Sequence, residues 1–418
     1  MLDQNQQYEN DGAEKFARGY RHAVDGEFER SRALLAQAAA AGHADALAWL
    51  ALHDLYGYGV AVDVDAARAG LAQAERLGSA EARYQLALLG LGEPEVERHE
   101  HSLLARLVAA ARQDHTAALR GLGLLYLADP LRQDAAQECL ARGASLGDRL
   151  AAYVLGVADY LSADLERRAR APRLIARAAE LGLPRAQQKL TPGAAPSRMT
   201  APAPAMLPAP RLLGDPRPNA TTHHLAPLIE TIERFYSVPE CEYLIAAASL
   251  SLRRSVVVEK DGTLVPHPAR NSSEASLCGA AEDFAVRWME RRMTSYLGVG
   301  LRQAEDLVIL RYGPGEQYGA HFDYLPPGGF RNLPDRDQPG QRIHTMFCFL
   351  DDVAEGGATV FPRVGRQIRP ARGRAVHFTN LDASGSGDPA TLHGGAPVIA
   401  GEKWLATLWT RERAFRAW

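Results

Sequence analysis

Gln317-Tyr318-Gly319-Ala320-His321-Phe322-Asp323-Tyr324 places an imidazole and a carboxylate two residues apart. On an extended strand, residues i and i+2 point to the same face. Reading Ala320 to Tyr324 as a strand therefore aims His321 and Asp323 together, and such a pair can grip one metal ion without bending the backbone. A third donor must come from elsewhere. The chain offers His393 in Ala390-Thr391-Leu392-His393-Gly394-Gly395-Ala396-Pro397-Val398, 72 residues on. That interval lets the strands of one β-fold pass between. Two imidazoles and one carboxylate on one side of an ion leave the opposite coordination positions open.

Ten residues past His393 stands Lys403, at the head of a strand expected over Trp404 to Arg411. Lys403, Leu405, Thr407 and Trp409 share one face, and Trp404, Ala406, Leu408 and Thr410 share the other. Both faces are largely apolar, so the strand reads as buried on both sides. A buried ammonium costs several kcal/mol unless an anion neutralises it. A dicarboxylate whose far end meets Lys403, and whose near end chelates the metal, supplies that anion. The competing reading is a protein carboxylate paired with Lys403, or a lysine that snorkels to the strand end.

The strand-like runs around these residues are short and divided by Gly and Pro: Leu307 to Tyr312, His344 to Leu350, Ala358 to Phe361 and Arg374 to Thr379. That pattern indicates an all-β sandwich, read here as a double-stranded β-helix (jelly-roll) with supporting helices outside. Two helices are expected. One is capped by Ser237, Pro239 and Glu240 and runs to Ala248; the other spans Ala281 to Leu297 with Phe284, Trp288, Met289 and Met293 on its buried side. His344 and His377 interrupt otherwise apolar strands. The structural reading is favoured for both, although His377 alternates with Ala375 and Thr379 and could face the pocket. The loop from Pro326 to Pro339, rich in Gly and Pro beside a metal site, reads as a substrate lid.

Upstream the composition changes. Residues 13–190 are rich in Ala, Leu and Arg, and one phrase recurs, as in Ala41-Gly42-His43-Ala44-Asp45-Ala46 and Leu77-Gly78-Ser79-Ala80-Glu81-Ala82. The markers Gly42, Gly78, Asp114, Gly147 and Gly182 are spaced by 36, 36, 33 and 35 residues. This period indicates an α-solenoid of four to five helical hairpins, each too small to bury its apolar face alone. The glycine suits the residue after a helix, where φ is positive. Tyr56-Gly57-Tyr58-Gly59-Val60 followed by Asp63-Val64-Asp65-Ala66-Ala67 resembles the loop and second helix of SEL-like repeats, relatives of the tetratricopeptide repeat. The resemblance implies a protein-binding or scaffolding arm; the equal alternative is an arm that only stabilises or dimerises the catalytic part. Residues 191–222 are dense in proline, as in Ala201-Pro202-Ala203-Pro204-Ala205, and read as a semi-rigid extended linker. The expected organisation is thus solenoid 13–190, linker 191–222 and catalytic unit 223–418.

The catalytic unit resembles the prolyl 4-hydroxylase family of Fe(II)/2-oxoglutarate dioxygenases. Motifs occur in order: Arg311-Tyr312, His321-Phe322-Asp323, Gly340-Gln341-Arg342-Ile343-His344-Thr345, Gly356-Gly357-Ala358-Thr359-Val360-Phe361-Pro362, His393 and Gly401-Glu402-Lys403-Trp404. The resemblance implies that His321, Asp323 and His393 bind Fe(II). Lys403, with Tyr312 and Thr359 assisting, would hold 2-oxoglutarate, and Tyr318, Arg342 and Trp409 would contact substrate. It also implies O2 as cosubstrate, ascorbate as the reductant the family commonly uses, and release of succinate and CO2. Asp323 argues against the halogenating relatives, which lack that carboxylate.

The chain has 418 residues, 46% hydrophobic and 23% charged, with net charge −3, so no basic surface for nucleic acid is indicated. Four cysteines (Cys139, Cys241, Cys278, Cys348) lack CxxC spacing, and no leader or membrane-spanning run is seen, so the expected location is cytoplasmic. The expected activity is hydroxylation of a prolyl residue in a protein or peptide, recruited by the solenoid. The same chemistry on a free amino acid or small metabolite is the alternative. A repeat scaffold with a sensing or inert dioxygenase unit is the third reading.

Overall fold

The computed structural model describes residues 2–418 except 191–192, 194–199, 203–206, 209, 213–218, 256, 259–263, 266–270 and 326–338. The expected lid thus lies outside the described residues apart from Pro339.

The first half stacks helical hairpins. Helices α1 (Leu2–Val24) and α2 (Phe28–Ala40) are followed by α3 (Ala44–Tyr56) and α4 (Val64–Arg76), then α5 (Ala80–Gly90) and α6 (Val96–Ala111). Next come α7 (Thr116–Leu127) and α8 (Gln133–Ser145), α9 (Arg149–Tyr160) and α10 (Leu165–Glu180), and a short α11 (Pro184–Gln188). The recurring marker does what its spacing suggests. Gly42, Gly78, Gly147 and Gly182 have φ of 87°, 94°, 93° and 80°, and Asp114 holds the same left-handed turn at 63°. At four of the five markers the next residue caps the following helix; Leu183, after Gly182, is the exception. His43 Nδ1, Ser79 Oγ, His115 Nδ1 and Asp148 Oδ1 accept the N–H of Ala46, Ala82, Ala118 and Ala151. Ala46 and Ala48 are fully buried where hairpins meet.

The second half is built on strands β1 (Ala220–Leu225), β2 (Leu228–Ile232), β3 (Arg253–Arg254), β4 (Val257–Val258), β5 (Leu264–Val265), β6 (Ser273–Leu277), β7 (Leu307–Tyr312) and β8 (Tyr318–His321). They continue with β9 (Arg342–Phe349), β10 (Glu355–Gly356), β11 (Thr359–Phe361), β12 (Arg366–Ile368), β13 (Ala375–Thr379), β14 (His393–Gly395), β15 (Val398–Ala400) and β16 (Lys403–Arg411). An eight-stranded sheet in the order β1-β2-β13-β9-β16-β7-β6-β3 faces a four-stranded sheet, β12-β11-β14-β8, in a jelly-roll. The first strand begins at Ala220, inside the stretch read as linker. An apolar cluster with Phe347, Phe349, Phe361 and Phe378 fills the space between the sheets.

Two helices, α12 (Val238–Ala248) and α13 (Phe284–Leu297), cover the outer face of the large sheet. Their other side meets the solenoid. One core runs from Tyr84 of α5 through α7 and α9 to α12, α13 and the outward residues Met346, Cys348, Trp404, Ala406 and Leu408 of the sheet. Buried ion pairs accompany it. Arg185 forks onto Glu242 (3.0 and 3.0 Å) and reaches Asp351 (3.1 Å), while Arg120 bridges Asp148 and Asp283, the N-caps of α9 and α13.

The described part of the proline-rich segment is fastened to the helices. Proline lacks the N–H but keeps the carbonyl, and carbonyls here are taken up by the helices. Tyr126 donates to Pro208 O (2.5 Å), Arg142 to Ala201 O (2.7 Å) and the Trp288 indole to Leu212 O. Leu207 and Leu212 are buried in the shared core.

Candidate active site

His321 is the last residue of β8 and His393 the first of β14, and the two are direct cross-strand partners. The ladder ends there because a 3₁₀ turn (Pro389–Thr391) precedes β14. Asp323 therefore does not sit on a strand with His321, as the sequence pattern implied; it lies in the bend just beyond. That bend brings its carboxylate back between the imidazoles. Oδ1 lies 3.6 Å from His321 Nε2, and Oδ2 lies 3.5 Å from His393 Nε2. One donor atom from each residue lies within 4.8 Å of the others. His393 itself opens β14, and β15 lies between it and the strand of Lys403, which the sequence reading placed next.

Hydrogen bonds fix the protons. His321 Nδ1 meets Gly319 O at 2.9 Å and His393 Nδ1 meets Thr391 O at 3.0 Å. A carbonyl only accepts, so each Nδ1 carries the hydrogen and each Nε2 turns a lone pair inward. Asp323 Oδ2 accepts from Thr345 Oγ1 (2.8 Å), which itself accepts from Asn380 Nδ2 (2.9 Å). Burial acts to raise the Asp323 carboxyl, but His393, the His321 hydrogen bond and Arg342 outweigh it and hold it well below the usual carboxylate range. Burial pushes the His393 imidazole down to about 4, with Asp323 opposing. Asp323 and His393 are thus in the protonation states that metal binding requires. Two imidazoles and one carboxylate from one side match the donor set of a non-haem ferrous site.

The cavity beside this cluster has a volume of about 190 Å³ and lies between the sheets. Lys403 reaches into it from β16, paired across the ladder with Tyr312. It is 3% exposed, and among the described residues no carboxylate lies within ion-pairing distance. Its Nζ lies 5.5 and 5.6 Å from the ring centroids of Tyr312 and Phe349. Burial alone pushes its pKa down to about 7. A Cβ at Gly395 would stand 3.3 Å from that Nζ, so the glycine leaves the approach to the amine open. The arrangement fits an acid with two anionic ends, one at the donor cluster and one at the amine.

Tyr312, Thr359, Tyr318, Arg342 and Trp409 all line the cavity. Tyr318 stacks on His321 with centroids 3.7 Å apart. Arg342 lies 4.3 Å over the Trp409 ring and is forked onto Glu305 at 2.6 and 2.7 Å. His377 does not face the cavity. It lies behind the large sheet, bonded to Glu230 (2.8 Å) and His344 (3.1 Å), with Tyr296 donating to the same Glu230 oxygen (2.6 Å). Thr345, Asn380 and Glu305 escaped the sequence reading. The one available signal was Thr345 beside His344: on a strand, adjacent polar residues cannot both point away from the pocket.

A model described as the 2OG-Fe(II) oxygenase superfamily matches residues 307–411. Prolyl 4-hydroxylase 1 of Arabidopsis thaliana is 34% identical over 204 residues, covering 45% of this chain and 70% of that protein. The chain belongs to the prolyl 4-hydroxylase family. This prolyl 4-hydroxylase relative is also 38% identical over 189 residues to prolyl 4-hydroxylase subunit alpha-1 of Rattus norvegicus, covering 44% of this chain but only 34% of the rat subunit. The chain thus spans about a third of the length of that curated relative. A Sel1 repeat protein from Oxalobacter formigenes is similar at 23% identity and TM-score 0.36, covering 43% of this chain and 77% of that one.

Proposed function

We propose that this chain is an Fe(II)- and 2-oxoglutarate-dependent dioxygenase that hydroxylates a prolyl residue of a protein or peptide, releasing succinate and CO2. The observation that carries this reading is a three-donor cluster beside a buried lysine that meets no carboxylate among the described residues. Bound iron and 2-oxoglutarate would supply O2 activation and oxidative decarboxylation. His321, Asp323 and His393 would hold the iron, with Thr345 fixing which carboxylate oxygen turns inward. Lys403 would take the distal carboxylate, with Tyr312 and Thr359 beside it. Phe347, Leu405 and Leu310 line the same cavity and exclude water from it. Tyr318, Arg342 and Trp409 would receive the substrate chain.

Its relatives are named prolyl 4-hydroxylases, which favours a prolyl acceptor. Helices α5, α7 and α9 are buried under the catalytic half, and α6 and α8 carry the proline-rich segment, so recruitment of a protein substrate would use α4 and α10. Ascorbate would serve as reductant. The four cysteines are free thiols, three of them buried, which suits a reducing compartment such as the cytoplasm. Among the described residues no helix is long and apolar enough to cross a membrane.

The test is incubation of a cell extract with the protein, Fe(II), 2-oxoglutarate and ascorbate, followed by mass spectrometry. Peptides gaining one oxygen on proline only with active protein are expected. Oxygen appearing only on free amino acids would replace this reading with small-molecule hydroxylation. Absence of succinate formation altogether would leave a scaffold.

A further inference from the structure

Past β16, residues 412–418 turn back along the molecule. Phe415 N and Arg416 N both donate to Arg302 O (2.7 and 3.0 Å), and Arg302 returns a bond to Ala417 O (2.9 Å). Arg416 is buried among acids, paired with Glu282 (2.9 Å) and Glu290 (2.6 Å). Trp418 lies 4.5 Å over the guanidinium of Arg287, a fully buried side chain whose Nε and Nη2 find no hydrogen-bond partner. The indole face stands in for them. The same indole meets Tyr56, at the end of α3, edge-on at 5.5 Å.

The other end of this chain of contacts is in the cavity. Arg416 Nη2 donates to the backbone carbonyl of Glu305 (2.8 Å), and Glu305 N donates to Trp409 O (2.8 Å). The Glu305 carboxylate forks onto Arg342 and pairs with Arg411 (2.5 Å). Glu305 is therefore gripped through its carbonyl by residues 412–418, while its side chain orients the arginine stacked on Trp409.

We infer that residues 412–418 are a strap through which the helical repeats set the position of Glu305, and with it the Arg342–Trp409 wall that receives the substrate chain. The inference rests on the proposed peptide reading of that wall. Glu305 is a positioning residue, and Arg416 and Trp418 act through it. The strap touches neither the donor cluster nor Lys403. Loosening it is expected to weaken substrate binding and to spare iron and 2-oxoglutarate.

The test compares the full chain with Trp418→Ala and Arg416→Gln, using a ten-residue oligoproline as probe. Three quantities are read: the oligoproline KM, succinate formation without oligoproline, and hydrogen exchange over residues 301–306. The expected result is a KM raised roughly two- to thirtyfold, substrate-free succinate formation unchanged, and faster exchange at 301–306. Trp418→Ala keeps the test open if the buried charges left by Arg416→Gln prevent folding. An unchanged KM, or KM and substrate-free turnover failing together as the folded fraction falls, would overturn the strap. If the unaltered protein makes succinate but never hydroxylates oligoproline, the peptide reading fails for this probe, and exchange at 301–306 decides the strap alone. Faster exchange there upholds it, and unchanged exchange removes it.

Discussion

His393 and Lys403 sit at two ends of one cavity, and each makes a separable prediction. His393→Ala deletes one of three inward lone pairs, so Fe(II) binding followed by titration should fall at least tenfold and succinate formation should be lost. Thr345→Val removes the hydrogen bond that orients Asp323 while keeping the shape. Iron affinity should drop roughly ten- to hundredfold, with the folding midpoint nearly unmoved. Retained affinity would remove Thr345 from the site. For Lys403 the sign follows from its depressed pKa of about 7. Below that pH the amine is already charged and ready for a carboxylate. Above it, binding a dicarboxylate must draw in a proton. The dissociation constant for 2-oxoglutarate should therefore be flat below pH 7 and rise up to about tenfold per pH unit above it. Calorimetry in two buffers of different ionisation enthalpy should record uptake of nearly one proton at pH 8 to 9. An affinity flat across pH 7 to 9 would mean that the amine is not the anchor.

The spacing of elements was legible in the sequence to different depths. The solenoid was readable because its marker encodes backbone geometry: only a residue tolerant of positive φ can close each hairpin, and the next must cap a helix. Gly147 has φ of 93° with open space where a Cβ would go, so Gly147→Ala should cost about 1 kcal/mol for conformational reasons alone, read as a shifted urea midpoint. His321, His393 and Lys403 stood out because each is a polar side chain within a few residues of a glycine, at Gly319, Gly394 and Gly401. Alternation shows which residues share a face, but not which face is inside. His377 therefore stayed ambiguous until the apolar cluster around Phe361 and Phe378 settled which side of β13 looks inward. Asp323 was placed on the wrong element for a related reason, since where β8 stops depends on where β14 starts, about 70 residues away. Thr345 with Asn380, and Glu305 with Arg342, are contacts of register and left no local trace.

At the scale of the whole molecule, the solenoid and the jelly-roll share a core that composition could not announce. Phe284, Trp288 and Met289 read as a buried helix face, but nothing in the chain names what covers it. If the halves form one unit, heating should give a single calorimetric transition. Arg185→Ala strands Glu242 in a buried setting and should lower stability by about 3 kcal/mol, shifting that whole transition downward. Two transitions with only one displaced would show that the halves unfold apart.

The proline-rich joint is where a reader of the sequence would cut, yet its leucines and carbonyls fasten to helices on both sides. Recombination there would separate surfaces that each leave the other's apolar residues bare. Either half made alone should therefore expose that apolar surface and precipitate, where the joined chain stays dispersed.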